Sequence, residues 1–145
     1  MSTGPYKLGK KSQSVYDTLH PKLKLLVDMV LLHVDISLIE GLRPQQKQIE
    51  YFVKKLSKLD WPKSKHNKTR DPQLKAIEYK VSDALDLVPY PTAYKDKEQM
   101  IYTAGYVIAC AHALGIKLRW GGDWNEDTIL NNKRNDFFDC WHFEI

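Results

Sequence analysis

What most constrains the fold of this chain is that helix-type and strand-type apolar spacings follow one another in mixed order. Val15, Leu19, Leu23, Leu26, Val27, Val30 and Leu31 recur at helical intervals. They predict a helix over residues 14–33, with Pro21 either kinking it or opening its second part. Residues 35–43 alternate and carry Gly41 near their end, which reads as a strand. Residues 45–59 place Ile49, Phe52, Val53 and Leu56 on a second amphipathic helix. Residues 60–80 hold Trp61-Pro62, many lysines and Asp71-Pro72, so they read as a long loop with one helical turn near 74–79. Residues 81–90 alternate and are stopped by Pro89 and Pro91. Residues 96–114 are the clearest helix, with Asp96 and Glu98 in the first turn and Gly115 just past the end. Strands over 116–120 and 137–145, separated by a tight loop and a polar stretch, complete the set. This order predicts an α+β fold: a small antiparallel sheet with helices packed on one side.

The chain has 145 residues, of which 43% are hydrophobic, enough for one domain around one core. Residues 1–12 are rich in Lys, Gly and Ser and are expected to be flexible, leaving 13–145 as the single domain. The net charge of +4 is spread along the chain. It suits a solvated surface, and also approach to an anionic polymer such as bacterial wall or nucleic acid. No recognition motif is present and the basic residues share no single element, which argues against nucleic acid. Cys110 and Cys140 make no disulfide framework, as fits synthesis in a reducing compartment. The first residues lack the apolar run of a secretory signal, and the apolar stretch at 101–114 is too short and too interrupted to span a bilayer. Synthesis in the cytoplasm is expected, with a separate release step if the substrate lies outside.

Five histidines are candidate metal ligands. His20, His33 and His112 sit on predicted helices with no second ligand-type residue at a suitable offset, so they read as ordinary helix-face residues. His66 lies in the polar loop, where packing gives it no role. His142 lies in the last strand, flanked by aromatics. Asp86 shares a strand face with Ser82 and Ala84, while Asp83 shares the other with Leu85 and Leu87. An acid in so apolar a strand needs a metal or a cationic partner, because unpaired burial is costly. His66, Asp86 and His142 together make a plausible zinc triad, and a salt bridge from Asp86 to lysine is the competing reading. Arg43 has its own competing reading, a structural ion pair with Glu40 or Asp35. Trp120, Trp124, Tyr90 and Trp141 are candidates for a substrate groove, of which at least two are expected in the core.

These residues stand in a recognisable order. Ser64-x-His66, Ala84-x-Asp86 and Asp139-x-x-His142 resemble the pattern of the VanY-like zinc peptidases. Leu8-Gly9-Lys10-x-Ser12, Ile39-x-Gly41-x-Arg43, the block from Leu114 to Asn125, and His142-x-Glu144 resemble the phage endolysins with L-alanyl-D-glutamate peptidase activity. The resemblance runs through nearly the whole chain. It implies a zinc site in a cleft, held by His66, Asp86 and His142. It also implies Asp139 as the catalytic acid and base, Arg43 as the oxyanion or substrate partner, and Ser64 as a substrate-binding residue. Trp141, as an aromatic beside the last ligand, is expected to bind substrate too. The implied function is hydrolysis of the L-alanyl-D-glutamate bond of peptidoglycan for host lysis. The alternatives are D-Ala–D-Ala carboxypeptidase or a non-catalytic wall-binding module. A monomer is expected, made in the host cytoplasm and let out by a holin.

The sequence departs from the family at two places, one of them Trp141, which stands where the endolysins usually have a small residue and the carboxypeptidase branch often has an aromatic. A short segment joins the first ligand to the second in the family, whereas here residues 67–85 intervene and Ser82 replaces a glycine. Residues 67–80 read as an inserted loop, expected at the rim of the cleft. Asp71 and Asp83 stand as alternative ligands to Asp86.

Overall fold

The computed structural model describes residues 5–134 and 138–145. The predicted first helix is two. α1 spans Lys10–Tyr16 and α2 spans Pro21–Val30. Pro21 opens α2 because proline disfavours helical backbone at the residue before it and has no N–H to leave unpaired. His20 is therefore extended and caps α2, its Nδ1 accepting from the Lys22 N–H at 3.0 Å. The flexible segment expected over residues 1–12 is corrected for its second part. The Tyr6 N–H donates to the Leu31 carbonyl at 2.8 Å, and buried Ser12 accepts from the Leu38 N–H at 3.0 Å. Residues 1–4 lie outside the described part.

The strands are β1 (Ile36–Glu40), β2 (Ala84–Pro89), β3 (Arg119–Trp120) and β4 (His142–Glu144). They form one antiparallel sheet in the order β1-β2-β4-β3. Each predicted strand is present but shortened, and Phe137, where the last was expected to begin, lies outside the described residues. Leu85, Leu87 and Phe143 point to one face, where they join Leu23, Leu26 and Val27 of α2 in the core. α4 (Lys97–Ala113) adds Met100, Ala104 and Val107 to the same cluster. Asp96 caps α4 by accepting from the Gln99 N–H at 3.0 Å, and Gly115 past its end takes φ +68°.

The opposite sheet face is polar. Asp86 is paired in register with His142 on one side and with Glu40 on the other, and Glu144 lies opposite Arg119. The period of two thus sets a row of ionisable groups across the sheet while the alternate residues build the core.

α3 (Gln45–Val53) stops short of the predicted Leu59 because Lys55 adopts φ 60°, which no helix continues. Residues 67–80 fold away from the cleft. Asn67 and Thr69 are buried, and a 3₁₀ stretch over Pro72–Lys80 is capped by Asp71, whose Oδ1 accepts from the Gln73 N–H at 2.9 Å. Asp71 also meets His20 at 2.8 Å, and Tyr79 stacks on Trp61 with centroids 5.5 Å apart.

Candidate metal centre and cleft

Three side chains converge on the polar face of the sheet. His142 Nδ1 lies 3.0 Å from Asp86 Oδ1, and His66 Nε2 lies 3.3 Å from each of them. All three ligand atoms fall within 4.8 Å of one another. Each histidine is oriented by its other ring nitrogen. His66 Nδ1 donates to the Gly41 carbonyl at 2.7 Å, and His142 Nε2 donates to Glu144 Oε1 at 2.9 Å. With those nitrogens carrying hydrogen, the two that face Asp86 carry lone pairs in the neutral rings. Two lone pairs and a carboxylate oxygen at such distances repel unless a cation or a proton lies among them. The residues therefore fit a divalent metal, with the outer partners that metal-binding histidines require.

Without a metal, protons among these atoms take its place. Burial opposes charge on His142, but the carboxylates of Asp86 and Glu144 together outweigh it and push the imidazole up to about 9. Burial likewise works to raise Asp86, but hydrogen bonds from His142 and His66 hold it well below the usual carboxylate range. Glu144 is held at about 2, burial again opposing and His142 and Arg119 prevailing.

Above this cluster opens a cleft of about 510 Å³ whose walls include Arg43, Ser64, Trp124 and Asp139. Asp139 stands apart from the other carboxylates. Burial, then the charge of Asp86, raises its pKa, and its Oδ1 is buried with no hydrogen-bond partner among the described residues. A carboxyl kept less acidic, at the wall of a cleft and with one oxygen unpartnered, is equipped to take and return a proton. Arg43 donates from Nε and Nη2 to Glu40 Oε1 and from Nη1 to Gln48 Oε1, and its guanidinium stacks on Tyr51. The ion pair with Glu40 is thus present, yet Arg43 still lines the cleft. The Ser64 hydroxyl accepts from the His66 N–H at 3.2 Å, fixing the turn that presents the first ligand.

Two glycines explain parts of the motifs. A Cβ on Gly41 would collide with Thr18 and Leu19, and one on Gly121 would collide with the Asp139 carbonyl. Gly121 can therefore lie against the Asp139–His142 turn, donating to the His142 carbonyl at 2.8 Å and accepting from the Asp139 N–H at 3.0 Å.

A sequence model of the family described as phage L-alanyl-D-glutamate peptidase matches residues 4–145. The chain belongs to that family. An L-alanyl-D-glutamate peptidase of Escherichia phage T5 is 26% identical over 147 residues, covering 97% of this chain and 98% of that protein. The crystal structure of the Serratia marcescens L-Ala D-Glu endopeptidase ChiX shares the fold, with a TM-score of 0.69 at 22% identity over 96% of this chain and 90% of that one.

In this peptidase the structure gathers His66, Asp86, His142, Asp139, Arg43 and Ser64 around one cleft. It does not gather the alternative ligands: Asp71 pairs with His20, and Asp83 accepts from the Arg70 N–H at 2.8 Å. Trp141 is not brought in either. Its ring meets Tyr94 edge-on at 5.1 Å, over a separate small pocket with Cys140 and Met100. Trp124 takes the place at the cleft, with its ring 5.4 Å from that of His142, while Trp120 is buried in the core. Among the described residues lining the cleft, none comes from the inserted 67–80. That rim is formed by residues 55–59 and 63–65. Gly41 and Glu144 were singled out only as motif letters. The spacing of two between His142 and Glu144 puts both on one strand face, and that was the signal for Glu144.

Proposed function

We propose that the chain is a zinc-dependent endopeptidase hydrolysing the L-alanyl-D-glutamate bond of peptidoglycan stem peptides, and that it serves host lysis. The observation that carries this is the convergence of His66 Nε2, His142 Nδ1 and Asp86 Oδ1 within 4.8 Å of one another, beside a cleft whose wall includes the unpartnered Asp139. Two imidazoles and one carboxylate are a donor set that zinc takes with a fourth position left open. When bound, the cation supplies Lewis acidity that polarises the scissile carbonyl and makes nearby water more acidic.

Asp139 accepts the proton of the attacking water at Oδ1 and delivers it to the leaving amine. Arg43 stays charged at any working pH and steadies the developing oxyanion or a substrate carboxylate with the N–H groups that Glu40 and Gln48 leave over. Ser64 and Trp124 seat the peptide. Trp141 supports Tyr94 beside the cleft rather than touching substrate. Among the described residues no helix is long and apolar enough to cross a membrane. Passage from the host cytoplasm to the wall is assigned to a separate release factor of the holin type, and the working form to a monomer.

Elemental analysis of protein purified without added metal is expected to give near-stoichiometric zinc, and His142→Ala to abolish it. Digestion of purified wall, followed by mass spectrometry, is expected to show new amino termini on glutamate. Release of terminal D-alanine alone would replace this reading with the carboxypeptidase one, and full zinc in His142→Ala would remove the ligand set.

A further inference from the structure

We propose that the apolar face of α3 and of the turn after it is a docking surface for an anionic phospholipid bilayer. This helix is built the reverse of what a small globular fold asks. The residue it buries is Gln48, which is 0% exposed, whereas Ile49, Phe52 and Val53 stand 42%, 42% and 71% exposed and Leu56 stands 70% exposed. Gln48 is held inside by polar work, bonding Arg43, Asn67 and Ser57. Ile49, Phe52 and Val53 follow a spacing of three and four on one helix face, and Leu56 stands exposed just beyond the helix end. A contiguous exposed stripe marks a surface that meets something.

The surrounding charge selects the occupant. Residues 45–63 contain Lys47, Lys54, Lys55, Lys58 and Lys63 against Glu50 and Asp60, a local sum of +3, of which Lys47 is paired with Glu40 at 2.9 Å. The Glu50 carboxylate is already taken by Lys54 at 2.7 Å. A second copy of the chain would set one lysine-rich rim against another. A hydrophilic wall polymer would satisfy the lysines and leave the apolar side chains in water. An anionic bilayer matches both features, with the stripe entering the headgroup–acyl boundary and the lysine stems reaching the lipid phosphates. The surface runs up to Leu56 and Leu59, which also line the cleft, so docking would hold the cleft mouth beside the membrane. Nothing in this depends on which bond the peptidase cuts.

The test is co-sedimentation of the full chain with phosphatidylcholine vesicles, either pure or with roughly a third phosphatidylglycerol. Binding is expected to the anionic vesicles and to fall at least about tenfold on pure phosphatidylcholine or in high salt. Ile49→Ser with Val53→Ser is expected to lower that binding about tenfold or more, with circular dichroism and thermal midpoint unchanged. If that variant misfolds, Lys54→Gln with Lys58→Gln keeps the stripe and is expected to lose the preference for anionic vesicles. No binding to the anionic vesicles, equal binding to both kinds, or binding undiminished by the substitutions overturns the proposal. So does a concentration-dependent dimer that Ile49→Ser with Val53→Ser dissolves, because a second copy would then be the occupant.

Discussion

Replacing Glu144 by Gln tests whether the site depends on the groups behind its ligands. Glu144 Oε1 accepts from His142 Nε2 at 2.9 Å, and Oε2 pairs with Arg119 at 2.8 Å, with the Glu144 side chain only 8% exposed. The substitution keeps the shape and removes the charge. His142 is then a weaker electron donor through Nδ1, and a rotated amide could even force hydrogen onto the site-facing nitrogen. Loss of such an outer partner costs about 10- to 100-fold in metal affinity, or about 1.4–2.7 kcal/mol. Metal-free protein gives an independent reading. His142 is raised to about 9 in the fold, so it contributes stability that is fully present below its unfolded value and lost as pH rises through about 9. The span amounts to about 3 kcal/mol, shared with Asp86 rather than additional to it. Glu144→Gln is expected to lower the His142 pKa in an NMR titration and to shrink that alkaline loss. Zinc affinity would be measured by competition with a chromogenic chelator. Unchanged affinity together with an unchanged His142 titration would refute the claim that Glu144 governs this ligand.

Asp139→Asn is expected to keep fold and zinc while lowering hydrolysis by roughly a hundredfold or more, since the amide cannot accept the proton. Near-normal turnover on purified wall would take Asp139 out of the mechanism. Shortening the part of the segment beyond Asn67 is expected to lower the thermal midpoint and to leave the salt dependence of hydrolysis unchanged, because it packs through Thr69 and Asp71 away from the cleft. A stable shortened protein with altered salt dependence would return the loop to substrate recognition.

The His66, Asp86 and His142 cluster was legible mainly through the family motifs, since an aspartate inside an apolar strand demands a partner but a lysine would have served as well as a metal. The order of the elements was legible because the apolar spacings of two and of three to four are hard to confuse over long stretches. The end of α3 was not, since Lys55 takes a left-handed conformation without the glycine that usually announces one. Nor was the course of residues 67–80. Adjacency to His66 suggested the rim, but the residue that captures Asp71 is His20, far away in sequence. Trp141 was misplaced for a simpler reason. It neighbours His142, and adjacent residues in extended chain point to opposite sides.

The pairing of Asp86 with His142 ties the enzyme's chemistry to the alignment of its strands. A slip of β4 by one residue against β2 would turn Phe143 toward the cleft and press His142 into the core, leaving Asp86 without it. No partly correct arrangement keeps the three side chains together, so on the reading proposed above a misaligned chain would hold no metal. Metal uptake is therefore a report on strand alignment, and a population of chains divides into those that are aligned and competent and those that are inert. In this peptidase the cluster, and what depends on it, arrives with completed folding and not before.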